Sequence, residues 1–589
     1  MKRLMEYIRP CLWRMAGGFS IKFMGSLLDL MIPWMLSKII DDVIPTGEVR
    51  MILLWGGLMT LCAGAVFAFN VIPNRMASSV ARDITEKLRE DLFVKTSSLS
   101  CAQVDRLTVP SLISRITSDT YNVHRMLNMM QRLGVRAPIL LLGGLIVTMA
   151  MEPRLGAVLL ALMPLMGLTI WIISKKGIPM YTKTQQKVDR MVQTVRENIV
   201  GVRIIKALSK GDFERKRFDT VNRELSDQET TAGVTMAATN PLMNLFLNCG
   251  LVLVILLGAY LVNNGTTKIG QIIAFQSYFT IILTAVISLS RMFVILSKGS
   301  ASADRIAEVL DLPQDLIPSL EGEKREQAAS EDEYVAFDHV SFSYLGQKDN
   351  LSDISFTLKK GETLGIIGST GSGKSTIVNL LMRLYDADRG QIRIQGVDVK
   401  NIPDEKLHRM FGVVFQSDVL FADTIRENID FGRRLTMEEI DDAAKNAQAQ
   451  EFILTREEKY EDALSIRGSN LSGGQRQRLL IARALAGQPD ILVLDDSSSA
   501  LDYKTDASMR QAIRESLSDT TSIIIAQRVS SIMQADHILV LENGREIGCG
   551  THEELLKNCP VYQEIAATQL GGRDASGLAD TVNEEEAKV

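Results

Sequence analysis

The chain has 589 residues, 65 of them basic and 70 acidic, for a formal net charge of -5. That length exceeds what one hydrophobic core organises, so several domains are expected, and the charge balance offers nucleic acid no electrostatic footprint. Six scattered cysteines (Cys11, Cys62, Cys101, Cys249, Cys549 and Cys559) form no CxxC pair, so they read as reduced thiols, neither a disulfide framework nor a zinc site.

In chain order, the first half is apolar in long runs. Lys2 and Arg3 precede an apolar stretch that runs too long for a cleavable signal. Six candidate membrane spans follow, at about 16–40, 52–73, 135–151, 155–174, 241–262 and 270–297. Each supplies about the twenty mostly apolar residues that cross a hydrocarbon layer. The segments between spans two and three, and between four and five, are long, charged and helical in pattern. They carry ten Lys/Arg between Arg75 and Arg136 and thirteen between Lys175 and Arg223, against Arg50, Arg154 and Lys268 in the short opposite loops. The positive-inside rule then places both long loops and both termini in the cytoplasm of a cell-membrane protein.

Within the spans, Asp29 is the one deeply placed acid and a substrate-contact candidate, with a helix–helix hydrogen bond as the plainer reading. Asp41 and Asp42, at the outer end of span one, read as solvated helix-end carboxylates, or else as part of an external gate. Asn244 and Asn248 share one face of span five and suit either a polar pore wall or interhelical adhesion. Residues 103–110 and 209–215 interrupt the helical pattern with turn-formers, one at the far tip of each long loop.

Beyond Pro313 and Pro318 an acidic, polar linker leads to an α/β pattern that starts at Tyr334. Val340–Tyr344 alternates as a strand, and Tyr344 is placed to stack on a nucleotide base. The run Leu364–Ile367 reads as a buried strand, and the residues after Thr376 read as a helix. Between them Gly368, Ser369, Thr370, Gly371, Ser372, Gly373, Lys374 and Ser375 fit the phosphate-loop pattern. Glycines there let backbone N–H groups converge on phosphate, and the helix N-terminus adds positive potential. Lys374 is expected on the β- and γ-phosphates of ATP and Ser375 on Mg²⁺. Leu471, Ser472, Gly473, Gly474 and Gln475 open a second helix whose end can face phosphate. A single phosphate loop has no use for it, whereas two such domains facing head to tail do. The apolar run Ile491–Leu494 ends in Asp495, where a Mg²⁺-supporting carboxylate is expected.

On these motifs the chain resembles one half of an ABC exporter: an α-helical six-span transmembrane domain plus an α/β P-loop nucleotide-binding domain. The expected boundaries are 1–300 for the membrane domain, 301–333 for the linker, 334–570 for the nucleotide-binding domain and 571–589 for a disordered tail. The resemblance implies further roles. Tyr344 and Thr376 join the nucleotide site, Gln416 joins Mg²⁺ with Ser375 and Asp495, and Asp502 belongs to a loop that communicates across the dimer. The two loop tips correspond to coupling helices. The family also implies alternating access driven by ATP, with membrane lipid around the spans.

Three positions depart from the family pattern. Asp496 stands where a glutamate activates water, Gln527 replaces the switch histidine, and Ile466 replaces a glutamate ahead of the signature. His537, ten residues beyond Gln527, lies in a strand pattern and is no substitute. A lost general base costs about two to four decades in rate. The chain is therefore expected to bind ATP, hydrolyse it poorly at its own site, and lend its signature to a partner. In this it resembles the degenerate-site subunit of heterodimeric bacterial multidrug exporters. The implied partner is a second half-transporter with intact Glu and His, and the implied substrate is an amphipathic small molecule. An ATP-gated channel or regulatory subunit, and a siderophore-type importer, are the alternative readings.

Overall fold

The computed structural model describes residues 2–316, 333–344, 346–497 and 500–570. The linker stretch 317–332, Ser499 and the tail from 571 fall outside them. The chain divides into two compact units. The first holds the residues up to Ser98 together with Val109–Leu312, and the second holds Leu99–Thr108 together with Pro313 onward.

The helices run α1 (Leu12–Lys38), α2 (Val49–Ser97), a short α3 (Cys101–Leu107), α4 (Thr120–Met151), α5 (Pro153–Val200), α6 (Gly211–Ala237), α7 (Thr239–Asn263) and α8 (Ile269–Leu310). Among the described residues six helical segments are long and apolar enough to cross a membrane. Each extends past its apolar stretch, so the charged loops continue the membrane helices as helix. Leu53, Leu61 and Phe67 on α2 are each 71% exposed, as a lipid-facing surface requires. Where helices meet, small residues and paired polar groups replace the hydrophobic drive that lipid removes. A Cβ added at Gly144 of α4 would stand 2.9 Å from Ile282 of α8. Buried Tyr278 of α8 donates its hydroxyl to Leu30 O at 2.6 Å, which satisfies the one polar atom on an otherwise apolar ring. Just before the start of α4, buried Asp119 accepts from Ser302 of α8 and pairs with Arg305 of α8.

The second unit carries two sheets. Strands β1 (Val335–Phe342), β2 (Leu351–Leu358), β4 (Arg389–Ile394) and β5 (Val397–Asp398) form an antiparallel sheet in the order β2-β1-β4-β5. The other sheet has the order β10-β9-β3-β8-β7-β6. It comprises β3 (Thr363–Gly368), β6 (Phe411–Val414), β7 (Ile491–Asp495), β8 (Thr521–Ile525), β9 (His537–Glu542) and β10 (Arg545–Gly550). From β9 to β6 every neighbouring pair is parallel. Parallel strands covered on both faces read as continuous apolar runs, and all five residues of β7 are buried. Helix α9 (Lys374–Leu381) follows β3, α10 (Gly473–Leu485) precedes β7, and α11 (Tyr503–Ser516) precedes β8. Strand β1 starts five residues earlier than the alternation at Val340 suggests and stops at Phe342, which leaves Tyr344 beyond its end.

Candidate functional site

In an open parallel sheet, ligands collect beyond the carboxyl ends of the strands. Here β3, β8, β7 and β6 lie side by side, and each delivers candidate residues at that end: the phosphate loop after β3, Gln527 after β8, Asp495 and Asp496 at β7, and Gln416 after β6. These side chains share a cleft of about 260 Å³, lined by Thr370, Gly371, Gly373, Lys374, Ser375, Thr376, Gln416, Asp495, Asp496 and Gln527 among others.

The loop geometry depends on glycine. Gly371 and Gly373 have φ of 82° and 99°, in the region glycine alone adopts cheaply. A Cβ at Gly373 would also lie 2.6 Å from Leu351 Cδ2 and 2.8 Å from Asn350 O. The Ser372 hydroxyl is buried with no hydrogen-bond partner among the described residues. Lys374 Nζ donates to the loop carbonyls of Gly368 (3.0 Å) and Ser369 (2.8 Å). Burial pushes its pKa below the usual lysine range, an effect that the nearby Asp495 and Asp496 oppose. A desolvated cation held on neutral carbonyls suits an incoming polyphosphate, so the cradle fits an ATP phosphate chain.

Asp495 is buried, and that burial raises its pKa above the ordinary carboxylate range. The Ser375 hydroxyl and the Gln416 backbone N–H both donate to it. One hydroxyl, one buried carboxylate and a glutamine are thus gathered beside Lys374, all oxygen donors of the kind Mg²⁺ accepts.

Asp496 has φ of 51°, a left-handed turn that Asp tolerates better than most residues. Its N–H donates to Ile525 O at 2.9 Å, and its Oδ2 accepts from Gln527 Nε2 at 2.9 Å. Burial raises its pKa, and the Gln527 bond works against that rise. Two of the three departures from the family pattern therefore touch each other. Sequence reasoning missed Gln569, whose Nε2 donates to Gln527 O at 2.8 Å and whose Oε1 accepts from Val529 N at 2.8 Å. Only tertiary packing brings so distant a glutamine to this loop. His537 lies outside the lining, with Nε2 3.8 Å from Glu362 Oε2.

Tyr344 stands next to the cleft. Its hydroxyl accepts from Asn379 Nδ2 at 3.0 Å and donates to Thr376 at 3.4 Å. Its ring packs edge-on against Phe342 and Tyr385, at centroid distances of 4.8 and 5.0 Å. Tyr385 donates in turn to Asp105 Oδ2 of α3 at 2.5 Å. That helix is the first loop tip, where the residue pattern suggested a turn and the family resemblance implied a coupling helix. Ser100 caps it with a reciprocal Gln103 bond and also donates to Asp315 at 2.6 Å.

The signature residues sit elsewhere in this unit. Leu471 is buried. Ser472 caps α10: its Oγ accepts from Gln475 N, and Gln475 Oε1 accepts from Ser472 N. The helix end is thereby fixed, and Gly473 and Gly474 leave its first turn bare, with Ala500 O 3.3 Å from where a Gly474 Cβ would be. Among the described residues none from 471 to 475 lines the cleft. Asp502 caps α11 by accepting from Thr505 N at 2.9 Å. Ile466 is 77% exposed.

In the membrane unit, Asp29 pairs with Arg136 at 3.0 Å. Of the outer acids Asp42 is exposed, as the sequence reading has it, whereas Asp41 is half-buried and capping, which corrects that reading. Asp41 Oδ1 accepts from Gly270 N at the start of α8 (2.6 Å), and Asp42 pairs with Lys268 (2.5 Å) and Lys38 (3.3 Å). Helix N-terminal N–H groups draw such carboxylates in. Asn244 and Asn248 are exposed. Lys22, which the sequence reading passed over, is 2% exposed and donates to Asn70 Oδ1 (2.8 Å) and Asn74 Oδ1 (3.2 Å). A cavity of about 910 Å³ runs between α1, α4 and α8, with Met31, Trp34, Ile146 and Met151 on its walls and Asp41, Asp42 and Lys268 at one end.

Comparisons with known proteins agree over most of the chain. The family model of the ABC transporter transmembrane region matches residues 15–286, and that of the ABC transporter matches residues 351–499. An uncharacterized ABC transporter ATP-binding protein of Bacillus subtilis, YfiB, is 36% identical over 97% of this chain and 99% of its own length. The multidrug efflux ATP-binding/permease protein Rv0194 of Mycobacterium tuberculosis is 31% identical over 94% of this chain and 47% of its own. A solved bacterial Atm1-family ABC exporter with ATP bound has a TM-score of 0.80 at 25% identity, covering 95% of this chain and 98% of the other.

Proposed function

This chain belongs to the ABC transporter family, as a half-transporter with one membrane region fused to one ATPase domain, and we propose that it is the degenerate-site subunit of a heterodimeric ATP-driven exporter. The observation that carries this reading is the hydrogen bond from Gln527 Nε2 to Asp496 Oδ2. The carboxylate at the base position is one methylene short of glutamate, and an amide that cannot take up a proton holds it. Beside it the binding parts are complete: the phosphate loop, Lys374, and Ser375 with Gln416 and Asp495, which would hold Mg²⁺. When bound, Mg²⁺ supplies charge neutralisation at the phosphates. Tyr344 offers a ring to the base. ATP is therefore held here and turned over slowly.

Residues 471–475 serve the other chain. In a head-to-tail pair the capped end of α10 covers the partner's ATP, Asp502 belongs to the loop that faces the partner, and the partner's own glutamate and histidine perform hydrolysis there. That Rv0194 is about twice as long as this chain supports a function that needs two halves. The domains run 1–300, 301–333, 334–570 and 571–589, with both termini and the ATPase domain cytoplasmic. The cavity between α1, α4 and α8, apolar along its walls and charged at one end, supports an amphipathic substrate drawn from the cytoplasm or inner leaflet. The test is ATPase activity of the purified chain with and without its co-expressed partner. Little turnover alone and strong turnover together is expected. Robust turnover by the chain alone refutes the heterodimer.

A further inference from the structure

One face of α2 changes character where the membrane ends. Phe67, 71% exposed, and Val71 are followed on the same face by Asn74, Arg75, Ser78, Ser79 and Arg82. These residues, from Val71 to Arg82, line a shallow, open cavity of about 590 Å³ that Arg132 of α4 flanks on the other side. Three arginines, an amide and two hydroxyls thus face one space, with no carboxylate in the lining. The apolar run of span two ends at residue 73 and that of span three begins at 135, so the cavity lies at the membrane–water boundary. It is on the side where the long loops concentrate Lys and Arg.

The charges are unevenly compensated. Arg82 pairs with Asp83 at 2.8 Å, and Asp83 also pairs with Arg14 at 2.7 Å. Arg75 and half-buried Arg132 have no ion pair or hydrogen bond among the described residues. Beneath them lies Lys22, a nine-tenths buried cation whose two partners, Asn70 and Asn74, are neutral; Asn74 also lines the cavity. Next to the cavity, Asn128 donates to Ser78 Oγ at 3.5 Å, while its own Oδ1 is buried with no donor among the described residues. Isolated cations at membrane depth cost free energy unless something pairs them.

We propose that this cavity binds an anionic headgroup, a phosphate or carboxylate carried by an amphiphile of the cytoplasmic leaflet. Arg75 and Arg132 contact the anion, Asn74 and Ser78 donate to it, Lys22 supplies positive potential from below, and the tail lies along Phe67 and Val71. The chemistry is that of basic pockets between membrane helices, where each Lys or Arg near the surface strengthens anionic-lipid binding about fivefold. The site is separate from the ATP cleft and from the cavity between α1, α4 and α8.

The test is native mass spectrometry of the full chain, with its partner where the two co-purify, after exposure to phosphatidylglycerol or phosphatidylcholine. Phosphatidylglycerol should be retained preferentially, and retention should fall by about twenty-five-fold in Arg75→Gln/Arg132→Gln. It should be largely kept in Arg75→Lys/Arg132→Lys and in Arg125→Gln, whose arginine is exposed and outside the lining. Unchanged labelling by an ATP analogue confirms that the variants are folded. If inorganic phosphate at millimolar concentration displaces the lipid, the anion alone suffices for binding. If it does not, the site requires the lipid. Equal retention of both lipids, or undiminished phosphatidylglycerol in the Gln variant, overturns the proposal. Loss of partner assembly with lipid retention unchanged overturns it too and assigns this face to the second subunit.

Discussion

The sharpest test of the two-role reading sets Asp496→Ala beside Ser472→Arg in the assembled transporter. Asp496 already falls short as a base. A carboxylate misplaced by about 1 Å can lose about a hundredfold in rate, and Asp496 Oδ2 is moreover engaged by Gln527 at 2.9 Å on a backbone turned to φ 51°. Removing it should cost less than about 1 kcal/mol of transition-state stabilisation, which is under about fivefold in steady-state ATPase. Ser472→Arg removes the Oγ that accepts from Gln475 N and disturbs the reciprocal bond. The cap alone contributes about 1 kcal/mol to the helix end. A large side chain also enters beside the glycines that leave that end open to phosphate, and a lost electrostatic clamp costs about 2.7–4 kcal/mol. ATPase should fall by about a hundred- to a thousandfold, and transport into vesicles should fall with it. The assay is steady-state ATPase of the two purified heterodimers side by side. If Asp496→Ala is as damaging as Ser472→Arg, this chain's own site is the working one and the roles are reversed.

Lys374→Ala deletes the cation now resting on the Gly368 and Ser369 carbonyls, and nucleotide should be held about ten- to a hundredfold more weakly at this site, as photolabelling with an ATP analogue would measure; undiminished labelling refutes the assignment. Cysteines introduced at Asp105 and Asp212 should be protected from impermeant reagents in intact cells and one at Gly265 should react, whereas external labelling at 212 would invert the topology. Because burial raises the Asp495 pKa, its carboxylate takes up a proton at a higher pH than an exposed aspartate does. Mg²⁺-dependent retention of a fluorescent nucleotide should therefore begin to fall on acidification above the ordinary aspartate pKa of about 4, and should lose that dependence in Asp495→Asn. Nucleotide-free stability moves the opposite way. A carboxyl with a raised folded pKa favours folding when protonated, so its destabilising contribution disappears as pH falls through that value.

The local patterns that the sequence spells out are those with short-range causes. Six apolar stretches, the phosphate loop between a buried strand and a helix, the Ser472 cap and the apolar run into Asp495 each depend on neighbours in the chain, where periodicity and capping chemistry act. From them the six-span membrane domain and the α/β ATPase domain were legible, as were the replacements at 496 and 527. Partnerships between distant residues were not. Nothing near Asp496 tells that Gln527 bonds to it, or that Gln569 fixes Gln527, because those contacts arise only once β7, β8 and the helix Pro560–Leu570 pack together. Nor does the sequence show that Tyr385 meets Asp105, 280 positions away. The outer acids read as solvated because a carboxylate at a helix end usually is. Only the tertiary structure places the start of α8 against Asp41 and so makes that side chain a cap. Lys22 was overlooked for a related reason: one lysine in an apolar run looks like a charge that reaches for the surface. The packing of α1 on α2 instead buries it against two amides, so that its charge stays inside the helix pair and not at the surface.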